Sequence, residues 1–465
     1  MNYPNIIFIL LDDFGWKDLS CYGSDFYETP NLDRLANQSM RFTDAYASCP
    51  VCSPTRASIL SGKYPARLGL TNYIGRNNPG HRDRACLVDA PYIPYLPREE
   101  KSLATTLREN GYDTWHIGKW HLGEESYWPE QHGFDVNIAG CDYGSPPGGY
   151  FSPWNIPNLE NGEDGEYLTD RLTDEAVSLV QNKDDKPFFM NLWYYTVHTP
   201  IQGKKELVEK YERKARALGL DNVKTFEEGE VHPKSDSVKT RVRRRLVQSD
   251  PEYAAMIECM DTNVGRLIQT LEEKGELDNT IIIFTSDNGG LATTEGSPTC
   301  NAPLSEGKGW MYEGGTREPL LIRWPGVTEP NSFCNVPVTS TDFYPTILDM
   351  IGAEQQAEQH CDGVSIVPLL KGGKELEREG IYWHYPHYGN QGGTPGSSVR
   401  MGDWKLIEFY EDGRLELYNL RNDISETKNL AGVRPEITRE MHRRLKEWRE
   451  EMEAIEPEHN PDWVW

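Results

Sequence analysis

Cys49-Pro-Val-Cys-Ser-Pro-Thr-Arg-Ala-Ser-Ile-Leu-Ser-Gly62 holds the residues best placed for chemistry. Ser53 reads as an N-cap, Pro54 suits a first helical turn, and Gly62 is a natural stop. The spacing therefore predicts a short helix over residues 54–61, with Cys52 at its positive end. Arg56 lies four residues after Cys52, a spacing that returns it to the same side of the helix start. A sulfur beside free backbone N–H groups and a guanidinium makes an anion site. Cys49-Pro-Val-Cys52 is also formally a Cys-x-x-Cys, the pattern of a redox pair or half a zinc site. A second Cys pair for zinc is absent from the sequence.

Other reactive side chains follow apolar runs. Asp12 and Asp13 follow Asn5–Leu11, Lys119 and His121 follow Tyr112–Ile117, His198 follows Pro187–Tyr195, and Asp287 and Asn288 follow Thr280–Ser286. In open α/β sheets ligands bind beyond the carboxyl ends of the strands, so these four endings can converge. Asp12, Asp13, Asp287 and Asn288 are hard oxygen donors with no His or Cys beside them in sequence, which suits Ca2+ or Mg2+ and not zinc. Read singly, Asp12-Asp13 also suits a helix cap, and Asp287-Asn-Gly289 a turn.

Cys52-Ser-Pro-Thr-Arg56 with its Ala-Ser-Ile-Leu-Ser-Gly62 tail resembles the signature of the type I sulfatases. Gly118-Lys-Trp-His-Leu-Gly123, Val197-His-Thr-Pro200 and Lys308 followed by Glu313-Gly-Gly-Thr-Arg317 are similar to further segments of that family. The likeness runs from Pro4 to about Asp412. It implies an alkaline phosphatase-like fold, sulfate-ester hydrolysis, and oxidation of Cys52 to Cα-formylglycine, whose hydrated aldehyde is the nucleophile. It further implies Ca2+ held by Asp12, Asp13, Asp287, Asn288 and position 52. The catalytic set it implies is Cys52, Arg56, Lys119, His121, His198 and Lys308. Arg56 and Lys119 would hold the nucleophile and the sulfate, Lys308 would neutralise sulfate oxygens, and Lys308 or His198 would protonate the leaving alcohol. His121 would take the proton that lets the aldehyde re-form. Glu313 and Arg317 read as an internal structural pair. The implied partner is a formylglycine-generating or anaerobic maturation enzyme.

The elements that must position these groups read as alternating strands and helices, hence a large, mostly parallel sheet flanked by helices over residues 1–370. Helices are expected at Thr29–Ala36, Leu103–Asn110, Leu168–Gln181 and Tyr253–Lys274. Residues 72–98 read as a long loop over the site. Residues 203–250 read as charged, helical or looped. Within them Lys239, Arg241, Arg243, Arg244 and Arg245 form a basic cluster, either a solvated face or a lure for an anion. Residues 371–465 read as a small antiparallel sheet, with strands at Gly380–Tyr385, Ser398–Met401, Trp404–Tyr410 and Leu415–Tyr418, followed by the helix Pro435–Ile455.

Net charge bounds the partners. At −25 over 465 residues the chain repels polyanions, which excludes nucleic acid and disfavours a broad surface for sulfated polymers. An anionic substrate must enter a local positive pocket, which favours one sulfated sugar or a chain end. Aromatic and hydrogen-bonding residues in the loops at 140–158 and 383–398 suit a sugar: Asp142, Tyr143, Tyr150, Trp154, His384, His387, Tyr388 and Asn390. Of these Asp142, His384 and His387 are the expected substrate contacts. Family likeness leans toward galactose or N-acetylgalactosamine sulfates and exo action. Competing readings are a phosphate or phosphonate monoester hydrolase, a glycan-binding protein with unmodified Cys52, and a thiol redox protein. No apolar run approaches membrane-spanning length. The run Ile6–Leu11 has no basic flank, so it reads as a strand and not a signal peptide. A soluble chain is expected, cytoplasmic as written and periplasmic or secreted if a leader was removed. Nine scattered cysteines demand no disulfide framework.

Overall fold

A computed structural model describes residues 3–75, 85–235 and 237–463. Its centre is a nine-stranded mixed sheet. In spatial order the main path runs Ser332–Cys334, Met40–Tyr46, Arg317–Arg323, Thr280–Ser286, Asn5–Leu11, Phe188–Trp193, Asp113–Gly118 and Val136–Ile138. Val338–Thr339 adds to the Met40–Tyr46 strand. All pairings are parallel except the two made by Arg317–Arg323.

Asn5–Leu11 is central because every residue in it is buried. Its pleat sends Ile7, Ile9 and Leu11 to one core and Ile6, Phe8 and Leu10 to the other. The first core is covered by Leu168–Asn182 and Pro251–Glu273, and the second by Leu103–Glu109 and Phe343–Ile351. Strand polarity then brings the ends at Leu11, Gly118, Trp193 and Ser286 to one edge of the sheet.

A second, antiparallel sheet runs Ile381–Tyr385, Gly396–Met401, Trp404–Phe409, Leu415–Asn419. Trp383, Tyr385, Ile407 and Phe409 face Cys49, Val51 and Met311 of the site-bearing unit. Tyr382, Val399, Leu406 and Leu417 face Met441, Leu445 and Trp448 of the helix Pro435–Glu451. Among the described residues no helix is long and apolar enough to cross a membrane.

Two expectations change, and a third is tested only in part. The reactive helix begins at Cys52, with Val51 at the cap position, and runs to Ser61 before the left-handed Gly62. Ser53 is not the cap; its hydroxyl accepts from Ile74 N at 3.1 Å. Part of the 203–250 stretch is a hairpin, Phe226–Val231 against Arg241–Arg245. Three of the five residues of the basic cluster are engaged within the protein, while Lys239 and Arg241 are exposed. Arg244 bonds Glu230 and Glu306, Arg245 pairs with Asp250, and Arg243 lies over the Phe226 ring. The expected loop at 72–98 is described only in part, because residues 76–84 lie outside the described residues. The rest of it carries one short strand, Leu87–Val88.

Candidate active site

Cys52 and Arg56 are placed by the helix Cys52–Ser61, and the other site residues by strand ends or tight turns. Asp12 and Asp13 leave Asn5–Leu11 with Asp13 at φ 61°, and His121 turns out of Asp113–Gly118 at φ 58°. Left-handed backbone at non-glycine residues costs roughly 1 kcal/mol or more each, and such strain clusters at functional positions. Gly289 shows why that loop needs glycine: a Cβ there would meet Gly314 O at 1.8 Å. That close approach lays the Asp287-Asn288 turn on the loop carrying Lys308.

Arg56 is wholly buried and held on three sides. Nε donates to Asp287 Oδ2 at 2.8 Å, Nη2 lies 2.7 Å from the same oxygen, and Nη1 donates to Lys119 O at 2.8 Å. Lys119 Nζ donates to Asp12 Oδ2 at 2.6 Å, and Lys308 Nζ to Asp13 Oδ2 at 2.8 Å. Asn288 Nδ2 donates to Asp13 Oδ1 at 2.9 Å. Cys52 Sγ lies 3.3 Å from His121 Nδ1, while His121 Nε2 donates to Ile74 O at 2.6 Å. That second bond leaves the Nδ1 lone pair toward the sulfur. Burial, then Lys119, hold the His121 pKa well below the ordinary histidine range, so the ring is neutral.

His198 Nδ1 donates to Thr199 O at 2.9 Å, and its Nε2 approaches Asp13 Oδ2 to 3.6 Å. Ligand atoms of Asp12, Asp13 and His198 all lie within 4.8 Å of one another. A histidine thus joins the oxygen donors, against the reading that none accompanies them. Burial, then Lys308, lower the His198 pKa well below its ordinary value. For Asp13, Lys308 and then His198 outweigh burial and keep its carboxyl low; for Asp12, burial dominates and raises it. Asp12 Oδ1 and Asn288 Oδ1 are buried without a hydrogen bond. Orphaned buried oxygens beside two further carboxylates are the donor set a hard divalent cation fits.

The structure thus gathers Cys52, Arg56, Lys119, His121, His198, Lys308, Asp12, Asp13, Asp287 and Asn288. Glu313 and Arg317 pair elsewhere at 2.6 Å. Asp142 is half-buried on the loop whose Gly144 packs against the His121 ring, and Cys141 O accepts from His121 N at 3.0 Å. His384 and His387 do not reach the site as sugar contacts. His384 sits on the helix-facing side of its strand, 3% exposed, with Nδ1 at Ser397 Oγ and Nε2 at Ile455 O. His387 is fully buried, with Nε2 at Thr71 Oγ1. Tyr150 and Trp154 are core residues, and Tyr388 donates to Glu411. Tyr73 and Lys234 were not singled out from sequence; Tyr73 precedes the Ile74 carbonyl that fixes His121.

A family model described as Sulfatase matches residues 4–353. The chain belongs to the sulfatase family. A second model, N-sulphoglucosamine sulphohydrolase, C-terminal, matches residues 306–451. A protein named Sulfatase from Formosa agariphila is 33% identical, over 96% of this chain and 88% of its own length. An N-acetylglucosamine-6-O-sulfatase from Bacteroides thetaiotaomicron is 29% identical, over 92% and 83%. The solved structure of Ps i-CgsB in complex with k-i-k-neocarrahexaose is 29% identical, with a TM-score of 0.74, over 96% and 92%. This sulfatase is a sulfuric ester hydrolase of the mixed α/β fold described above.

Proposed function

We propose that this sulfatase acts on a sulfated sugar, using Cα-formylglycine made from Cys52 by a maturation enzyme, with Ca2+ bound by Asp12, Asp13, Asp287, Asn288 and position 52. The observation that carries the reading is the surroundings of Cys52. It lies at a buried helix start with a neutral imidazole at its sulfur, beside three buried cations and the orphaned oxygens. Hydrated formylglycine would supply a nucleophile with a second hydroxyl, and a divalent cation held by these oxygens would supply Lewis-acid charge toward the sulfate. The chain's own residues do the rest. Lys119 and Lys308 face the sulfate with positive charge in a water-poor site, where such charge acts strongly. Arg56, spent on Asp287 and Lys119 O, fixes the helix start against the metal ligands. His121 Nδ1 accepts a proton from the position-52 side chain, and Lys308 gives one to the leaving alcohol, because neutral His198 has its one N–H on Thr199 O.

A galactose or N-acetylgalactosamine sulfate, taken from a chain end, is the finer reading. Support comes from the near-complete burial of Cys52, Lys119 and His121, which suits a narrow pocket, and from the net charge of −25. The relative named for N-acetylglucosamine favours a glucosamine-type sulfate as second reading. Two measurements test the proposal. Peptide mass spectrometry should show position 52 having lost hydrogen sulfide and gained oxygen. A panel of monosulfated sugars should release sulfate from one sugar type. Unmodified Cys52 in active protein would refute the nucleophile.

A further inference from the structure

Tyr73, Asn390 and Lys234 come from three separated segments and form one chain of hydrogen bonds beside the sulfate pocket. Lys234 Nζ donates to Asn390 Oδ1 at 2.9 Å, and Asn390 Nδ2 donates to Tyr73 Oη at 3.0 Å. The polarity of this chain has one solution. An ammonium group has donors only, so the Asn390 oxygen must face Lys234 and its NH2 must face Tyr73. Tyr73 is therefore an acceptor toward Asn390, and its own O–H proton must point elsewhere. Among the described residues no hydrogen bond uses that proton.

The chain is rigidly held. His232 Nε2 bonds Asn390 O at 2.8 Å, Tyr92 Oη donates to Tyr73 O at 3.0 Å, and Lys234 is 6% exposed on an otherwise solvent-facing hairpin. It is also anchored to the reacting groups from both sides. Tyr73 precedes Ile74, whose N–H and C=O tie Ser53 and His121 around Cys52. Asn390 belongs to the 389–393 turn, which closes on Gly309 next to Lys308; a Cβ on Gly393 would meet Gly309 O at 1.9 Å. The Tyr73 hydroxyl is half-buried, and burial raises its pKa; the Glu295 carboxylate and the Lys308 ammonium both lie close enough to act on it.

We propose that Tyr73 is a specificity-determining residue, whose hydroxyl donates a hydrogen bond to an oxygen of the sugar bearing the sulfate, with Asn390 and Lys234 holding it in the donating orientation. This rests on the sugar-sulfate reading above. A donor fixed in advance discriminates between a leaving group that offers an acceptor there and one that does not.

The test uses the full, matured protein with p-nitrophenyl sulfate, whose ring carries no hydroxyls. The second substrate is whichever of galactose 6-sulfate, N-acetylgalactosamine 6-sulfate and N-acetylglucosamine 6-sulfate the wild type cleaves best. The readout is the ratio of kcat/KM for the sugar to that for the aryl ester. Tyr73→Phe should lower that ratio about 10-fold or more, the loss of one preorganised hydrogen bond and a stranded partner. Lys234→Met should lower it by a smaller factor, because Asn390 is then free to turn its amide. Lys234→Arg, which keeps a donor, should preserve it. An unchanged ratio in Tyr73→Phe, or equal losses on both substrates, overturns the assignment. A wild type that cleaves the aryl ester and none of the sugars overturns it together with the sugar reading. A matured wild type that releases sulfate from neither sinks the sulfatase mechanism beneath it, whatever Tyr73 does.

Discussion

Two buried clusters in this protein each set three acids against three bases, with opposite characters. At the site, Asp12, Asp13 and Asp287 face Arg56, Lys119 and Lys308. Behind it, Asp44, Glu313 and Glu426 face Arg317, Arg400 and Lys405. The second cluster leaves one carboxylate oxygen without a hydrogen bond, Glu426 Oε1, and that oxygen lies 3.2 Å from Lys405 Nζ. Glu313 takes Lys405 at 2.9 Å, Arg317 at 2.6 Å and the Tyr46 hydroxyl at 2.7 Å, while its backbone N–H donates to Glu426 at 2.7 Å. Arg400, on the antiparallel sheet, spans to Asp44 at 2.7 Å and to Tyr46. This cluster latches the C-terminal sheet to the main one. The site cluster instead leaves Asp12 Oδ1 and Asn288 Oδ1 without partners and holds two residues in left-handed backbone. Equal counts of ionisable groups thus differ in how completely their polar atoms are paired.

The largest break in that contrast comes from Cys52→Ser. Without the second hydroxyl that formylglycine offers, turnover should fall on the order of 10^4-fold, measured as steady-state sulfate release. Thermal stability should hardly move. Lys119→Met removes the charge proposed to face the sulfate and should cost about 10^2- to 10^3-fold in kcat. Chelation by EGTA should likewise suppress activity about 10-fold or more, with recovery on adding Ca2+. EGTA-resistant activity would refute the calcium assignment.

Lys405→Met should act the other way round. It leaves Glu313 and Glu426 facing each other without their shared cation, a loss of about 3 kcal/mol or more in stability. Activity per folded molecule at low temperature should stay within about twofold, since Lys405 touches no site residue. A large kcat loss in a still-folded variant would erase the distinction between the clusters.

Glu426 refines it. Burial first, and the facing Glu313, push its pKa up to about 8 despite Lys405, from an ordinary value of 4.5. The native state therefore holds a proton that the unfolded chain releases. Its contribution to stability is complete below about pH 4.5 and is lost as pH rises through about 8. Melting points taken from pH 6 to 8.5 should decline in the wild type, and less steeply in Glu426→Gln. Parallel slopes would remove Glu426 from the account. The smallest effect on catalysis belongs to His384→Asn. With both ring nitrogens bonded inside the C-terminal unit, it should lower stability by about 1 kcal/mol while KM for a sugar sulfate stays level.

The parts of the fold that sequence revealed are those where one local signal suffices. Asn5–Leu11 and Thr280–Ser286 are built on the apolar runs Ile6–Leu11 and Ile281–Phe284, and both are strands with those bounds. The acids and bases after them were legible because a strand end followed by chemistry is a local pattern. The hairpin at 226–245 was not, since neither strand alternates cleanly between apolar and polar. Its signal lay across the strands, where Glu227 faces Arg244 and Glu228 faces Arg243. His384 was misread for a related reason. Its strand is buried on both faces, and only the later helix and the Ile455 carbonyl show which face it occupies. Tyr73, Asn390 and Lys234 meet through chain separations of more than a hundred residues, which no window of sequence displays.

The central strand has a consequence in time. Asn5–Leu11 is flanked by Phe188–Trp193 and Thr280–Ser286, so the floor beneath Cys52 is not laid until residue 288 has been synthesised. At ribosomal speeds of about 5–20 residues per second, roughly ten to fifty seconds pass between the emergence of Cys52 and that closure. Once closed, Cys52 is 2% exposed. An enzyme of the kind proposed to oxidise this thiol would therefore have to reach it before that closure, while the chain is still unfolded around it.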